Sequence, residues 1–298
     1  MKKIKNYWYC IIWLFICLFP PNSLWGQAPF FVIRPLKAGL FAEFNLVLGA
    51  LNNYEKLLKY QLPCAGLRID FGREGLYYDP RIGDNFWQYY FEPIEFGNQH
   101  QGTLQEINDL EKTILAVHMR YELAAERSYE LIQKYIRVKP RIQQKVNTFC
   151  KDNFMDRYIL GIHYRGTDKS LEAPRVSYEA VHRAIIEHIT HVKPENFKIF
   201  VASDEAAFIE FIEDKFPNII LKYDLERSQS QAPLHQGHQN PFEIGEGALI
   251  DCLLLSRSNF LIRTSSNLSY AASQFNPQIP VIELSEGYWE QAHKKRKK

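Results

Sequence analysis

The strongest constraint on this chain is the regular alternation of its second half. "YILGIHY" (158–164), "FKIFVAS" (197–203), "NIILKYD" (218–224), "NFLIRT" (259–264) and "IPVIEL" (279–284) read as strands. "FKIFVAS" is apolar nearly throughout, as a strand covered on both faces must be. Between the strands, "SYEAVHRAIIEHI", "EAAFIEFIEDKF", "GEGALIDCLLLSRS" and "SSNLSYAASQF" space their apolar residues as helices do. Strand–helix alternation of this kind specifies an α/β fold with a parallel sheet wound on both faces.

The first half is a looser version of the same pattern. "FFVIRP" reads as a strand, "KAGL" as a turn and "FAEFNLVLGALNNYEKLLKY" as a helix, followed by the strand "AGLRIDFG". The aromatic segment "NFWQYYFEP" reads either as core or as a platform on which sugar rings stack, core being the commoner use. Leu104, Ile107, Leu110, Ile114 and Val117 keep a three-to-four spacing that predicts a helix from Thr103 to Val138, and Pro140 opens a new segment ending near Phe154. The economical architecture has two Rossmann-like α/β domains, 29–150 and 151–288, with parallel sheets facing a cleft. A leader (1–28) precedes them and a basic tail (289–298) follows.

Charge decides which partners to expect. Eight of the 36 basic residues sit at the two ends (Lys2, Lys3, Lys5, Lys294, Lys295, Arg296, Lys297, Lys298), leaving 28 in the body against 34 acidic residues. An acidic body argues against a nucleic-acid binder, which carries a basic face. The leader has a basic start, an apolar run from Tyr7 to Phe19 and then Pro20-Pro21, the pattern of a signal peptide or N-terminal membrane anchor. The body is therefore expected to be exported or membrane-anchored. Outside the leader, Cys64, Cys150 and Cys252 are widely spaced, with neither a disulfide framework nor a zinc spacing.

Ligands of open parallel sheets bind beyond the carboxyl ends of the strands. Three strands of the second half end in polar clusters: His163 to Lys169, Ser203-Asp204-Glu205, and Arg263 to Asn267. Arg165 suits a diphosphate, because its planar fork makes paired contacts with phosphate oxygens. Ser265, Ser266 and Asn267 open a helix, whose free N–H groups attract an anion or are simply capped. Asp204 and Glu205 would bind hydroxyls or amines, or else only favour a helix start. Asp251, inside the apolar helical run "GALIDCLLLS", would reach the ligand if it faces the sheet edge. Gly39, between a strand and a helix, would let backbone approach phosphate across the cleft. Glu172, in the same loop as the cations, is the candidate general base. No Asp-x-Asp clamp, P-loop or G-x-S-x-G elbow occurs, so no metal or further cofactor is expected.

"GIHYRGTDK", "FVASDE" and "ALIDCLLLSRSNFLIRTSSNLSYAAS" together resemble the donor-binding half of the α-1,6-fucosyltransferase and NodZ group, and "GLFAEFNLVLGAL" resembles the glycine turn and helix that open its catalytic region. The resemblance covers about residues 34–285 and is firmest over 158–275. It implies a GT-B-like fold and an inverting, metal-independent transfer of fucose from GDP-fucose to an oligosaccharide hydroxyl, a GlcNAc-containing acceptor being the natural one. It places Arg165 on the diphosphate with His163 lining that pocket, and gives Asp168 and Lys169 the task of ordering the loop. Asp204, Asp251 and Ser266 fall to the nucleotide and Glu172 to proton abstraction. Lys169, with Arg165 and Glu172, belongs to the catalytic set so implied. Two features depart from the group's pattern. The loop to Glu172 is one residue short, and Gly166 stands where a second arginine is usual, so that either donor binding is weakened or Arg263 supplies the charge from the neighbouring strand end. The same fold acting on another nucleotide sugar, or a non-catalytic glycan- or nucleotide-binding relative, are the alternatives.

Overall fold

The computed structural model describes residues 30–59, 66–96, 104–106, 123–166, 175–228 and 240–285. The leader, the basic tail, Cys64, and Thr167, Asp168, Lys169 and Glu172 lie outside them. Among the described residues no helix is long and apolar enough to cross a membrane.

The second half forms a five-stranded, all-parallel sheet from β4 (Tyr158–Tyr164), β5 (Phe197–Ser203), β6 (Ile220–Leu221), β7 (Phe260–Arg263) and β8 (Val281–Glu283). Its order is β6-β5-β4-β7-β8, so the chain winds outward to one side, returns, and winds to the other. The crevice of such a sheet opens between β4 and β7, where the winding reverses. Strand alternation divides the covering helices. Leu160, Ile162 and Tyr164 of β4 join Ile199, Val201 and Ile262 in a cluster with α5 (Tyr178–Val192) and α6 (Ala206–Lys215). Ile159, Phe200, Ala202 and Leu261 point to the other face and pack with α7 (Pro241–Leu255) and α8 (Asn267–Phe275). His163 therefore points toward α7. Local capping agrees with these bounds: Ser177 caps α5 by accepting from Ala180 N–H at 3.2 Å, and Pro241 stands in the first turn of α7, where its missing N–H costs nothing.

In the first half β1 (Phe30–Ile33) and β2 (Gly66–Ile69) flank α1 (Leu40–Lys59), and a third parallel strand completes the order β2-β1-β3. That strand, β3 (Leu104–Glu106), corrects the helix predicted from Thr103. Leu104 pairs with Phe30 and Glu106 with Val32, so pairing with β1 overrides a helical spacing that three residues are too few to contradict. Of the predicted helix, only α3 (Ala125–Tyr135) lies among the described residues. It is followed by α4 (Pro140–Asn153), as Pro140 leads one to expect. The aromatic segment, including α2 (Trp87–Tyr90), is core: Phe86, Trp87, Tyr90 and Phe91 are buried, and Trp87 stacks on Phe91 at 4.3 Å. One apolar core runs through both halves, with Phe44 of α1 stacked on Phe275 of α8 at 5.4 Å. Cys150 and Cys252 are free thiols, the latter buried.

Candidate functional site

At the carboxyl ends of β4 and β5 and beside α7 lies a cleft of about 470 Å³. His163, Arg165, Asp204, Asp251 and Ser266 all line it. Each arrives by a local rule: His163 and Arg165 run off the end of β4, Asp204 off β5, and Ser266 off β7 as the cap of α8, where it accepts from Leu268 N–H at 3.3 Å. Asp251 comes from the α7 turn that faces the strand ends.

The electrostatics follow from burial and pairing. Arg165 Nη1 sits 2.8 Å from Asp204 Oδ2, while the Gly166 N–H donates to Asp204 Oδ1 at 3.0 Å and the Arg165 N–H to Thr264 Oγ1 at 2.9 Å. The loop after β4 is thus tied to the ends of both β5 and β7. The Arg165 side chain stays 23% exposed and can still meet a ligand. His163 is buried, its Nδ1 has no hydrogen-bond partner, and burial together with the guanidinium groups of Arg165, Arg263 and Arg227 holds the imidazole far below its usual range against the pull of Asp204. It is neutral at neutral pH. Asp251 is also buried. Burial pushes its carboxyl up and Arg227 pulls it down, and its Oδ1 is without a partner. Two buried polar atoms without partners at the wall of one cleft mark where a ligand would bring a donor or an acceptor.

Other predicted residues are placed elsewhere. Glu205 is buried beside the cleft and pairs with Arg175 at 2.6 Å rather than lining it. Ser265 is buried, its N–H donating to Ser285 Oγ at 3.1 Å. Asn267 is the first residue of α8 and is not among the lining residues, nor is Gly39. The Gly39 carbonyl accepts from Ala42 and Glu43 at the start of α1, and a Cβ there would come no nearer than 4.0 Å to the Tyr77 hydroxyl, so no close approach demands glycine. Arg263 does not supply the charge missing at Gly166: it is bound to Glu283 at 3.0 Å and to the Ser269 carbonyl and Ser273 hydroxyl, both at 3.0 Å, on the far side of β7. The place of the missing side chain is itself filled. A Cβ at Gly166 would lie 1.7 Å from Glu205 Oε2 and 2.8 Å from the Tyr164 ring.

Sequence reasoning missed several lining residues. Arg227, in the loop after β6, pairs with Asp251 at 2.7 Å. Arg141 and Lys145 of α4 both engage the buried carboxylate of Glu246, and Arg141 lies 4.9 Å over the Phe242 ring. Two signals were legible: cations four apart on one helix face, and an acid within the apolar run of α7. Arg227 left none.

The family model described as Nodulation protein Z (NodZ) matches residues 109–288. Nodulation protein Z of Bradyrhizobium diazoefficiens is 28% identical over 182 residues, which is 56% of this chain and 47% of the relative, so the match spans about half the relative's length. Among solved structures, the fucosyltransferase NodZ from Bradyrhizobium is 18% identical with a TM-score of 0.61, covering 88% of this chain and 97% of that one. The NodZ alpha-1,6-fucosyltransferase soaked with GDP-fucose is 17% identical (TM-score 0.59, coverage 88% and 96%). POFUT1 in its apo form is 11% identical (TM-score 0.52, coverage 88% and 99%). The fold these share with the chain is GT-B-like.

Proposed function

This chain belongs to the NodZ family, and on that premise we propose that it is a fucosyltransferase moving fucose from GDP-fucose to a hydroxyl of an oligosaccharide acceptor, GlcNAc-containing by family resemblance. The observation that carries the reading is the cleft itself. It joins a guanidinium suited to diphosphate, Arg165, to a buried carboxylate oxygen without a partner, Asp251 Oδ1, in the crevice where a parallel sheet of this order binds nucleotides. In this reading Asp251 meets the base. Arg165, oriented by Asp204, offers its remaining N–H donors to the diphosphate in charge-assisted bonds. Ser266 and the N-terminus of α8 add N–H groups for the phosphates.

The transfer is an inverting displacement. The acceptor oxygen attacks the anomeric carbon, the bond to the diphosphate breaks, and the acceptor proton passes to a carboxylate, for which Glu172 is the candidate. GDP leaves with its electron pair, and fixed cations stabilise that developing charge as a metal would elsewhere. Lys169, in the same loop, would add to them. The reading predicts that GDP binds in EDTA with undiminished affinity, measured by calorimetric titration. Failure of a folded protein to bind GDP would overturn it.

Gly166 favours a second reading, a relative that binds GDP-fucose without transferring it. GDP binding with no fucose transfer to any GlcNAc-containing acceptor would support that alternative, and turnover would remove it. Competition by GDP-mannose and UDP-sugars tests the donor assignment.

A further inference from the structure

Arg227 reaches three elements at once. Its Nη1 donates to the Ser203 carbonyl at the end of β5 and to Asp251 Oδ2 on α7, both at 2.7 Å, and its Nη2 donates to the Tyr223 carbonyl of its own loop at 3.3 Å. Both partners of the ion pair are withdrawn from water, with 13% of the Arg227 side chain and 4% of that of Asp251 exposed. Desolvation cancels much of what such a pair contributes to stability, and apolar residues would join the loop to α7 as well. The loop is in fact docked without it. Leu225 fills the notch over Gly247, where a Cβ would come within 2.7 Å of Leu225 Cδ2, and Ser228 N–H donates to the Asp204 carbonyl at 2.8 Å.

What the ion pair adds is orientation. With Oδ2 engaged by Arg227, Asp251 Oδ1 is left buried and without a partner at the cleft wall. A buried acceptor in that state is unfavourable until a ligand donor meets it, and it penalises any ligand that offers an acceptor instead. Guanine presents two adjacent donors on one edge, the ring N1–H and the exocyclic 2-amine. Hypoxanthine keeps only the first, and adenine's ring N1 is an acceptor.

We propose that Arg227 is a specificity-positioning residue: by holding Asp251 Oδ2 it aims Oδ1 at the donor edge of the purine and so sets the preference for guanine. This rests on the nucleotide reading of the cleft given above. The groups around Asp251 are Arg227 and Tyr223 from the loop, Cys252 on its own helix, and His163 and Asp204 at the strand ends lining the same cleft.

The test is calorimetric titration of the full chain with GDP, IDP and ADP, for wild type, Arg227→Gln, Arg227→Lys, Asp251→Asn and the Arg227→Gln/Asp251→Asn pair. Wild type is expected to prefer GDP to IDP and to bind ADP least. Arg227→Gln should lower GDP affinity roughly 10- to 100-fold and IDP affinity less, which narrows the preference. Arg227→Lys should restore part of it. In the Asp251→Asn background, Arg227→Gln should change the GDP-to-IDP ratio no further.

A pH series adds a readout that loosened packing would not move. Arg227 holds the Asp251 carboxyl down against burial, so its removal lets that carboxyl rise. As pH falls from 8 to 5, GDP affinity of Arg227→Gln should begin to drop at a higher pH than that of wild type. Equal losses for GDP and IDP with an unshifted pH profile would overturn the inference, as would a wild type that binds the two alike. A folded wild type that binds no GDP sinks the nucleotide reading, and the inference with it.

Discussion

Two strand-to-helix loops of like topology meet different fates in this protein. The end of β4 opens onto a cleft, lined by His163 of the strand and Arg165 just beyond it, and the Gly166 N–H is tied to the side chain of Asp204. The loop after β1, residues 34–39, closes on itself. Both carboxylate oxygens of Glu43 accept from Leu36 N–H at 2.9 Å, Oε1 also accepts from Ala38 N–H at 3.1 Å, and the carboxylate is fully buried. Lys37 adopts the left-handed conformation, φ 58°, to make that turn. At both strand ends the loop's backbone N–H groups are taken up by the chain's own side chains, Thr264 and Asp204 at one and Glu43 at the other, but only the first leaves a guanidinium lining a cleft. In the β1 loop a carboxylate in the first turn of the helix takes up the N–H groups, whereas after β4 a carboxylate on the neighbouring strand end fixes the chain and leaves its cation at the cleft.

The largest effect should come from the open loop. Arg165→Ala is expected to cost GDP binding about 3 kcal/mol or more, the value of charge-assisted phosphate contacts, with a smaller loss of unfolding free energy because Asp204 loses its cation. A stability loss as large as the binding loss would make Arg165 a structural residue and blur the contrast between the loops. The closed loop should respond to pH instead. Burial outweighs the three amide donors and raises the Glu43 carboxyl from 4.5 to about 7. Because the folded value is the higher one, the stability Glu43 contributes is fully present below about pH 4.5 and is lost as pH rises through about 7. Relative to Glu43→Gln, wild type should therefore lose on the order of 3 kcal/mol between those limits, as read from urea unfolding at several pH values. A pH-independent difference would mean that the carboxylate is ionised throughout.

The tightness of the open loop is tested at Gly166. Gly166→Ala drives a Cβ into Glu205 and should cost roughly 1–3 kcal/mol by denaturant unfolding. Adding Glu205→Ala should recover much of it, since the two sites touch. Additive losses would show that Glu205 is not the obstacle. The smallest effect belongs to the exposed rim of the closed loop. Arg34 and Asp70 pair at 3.1 Å with side chains 43% and 32% exposed, and Arg34→Ala should move stability by no more than about 0.5 kcal/mol.

Much of the cleft is legible in the sequence. His163, Arg165, Asp204 and Ser266 each stand where a periodic apolar run breaks into polar residues, and the strand-end rule needs no more than that. Asp251 was legible as an acid in an apolar helix. Arg263 obeyed the same strand-end rule and still turned away, because Glu283, 20 residues on, offers it a partner on the adjacent β8. Glu205 likewise spends its charge on Arg175, 30 residues back.

The sequence by itself determined the elements of the second half, their parallel pairing and which loops lie at the ligand edge. These follow from periodicity, a local property of side chains along one segment. Only the tertiary structure decided the strand order β6-β5-β4-β7-β8, the turning of Leu104–Glu106 into a strand beside β1, and the opposite wall of the cleft. Lys145 meets Glu246 across 101 residues and Arg227 meets Asp251 across 24. Such pairings depend on how apolar faces stack in three dimensions, and a buried charge takes whatever partner that stacking brings within reach.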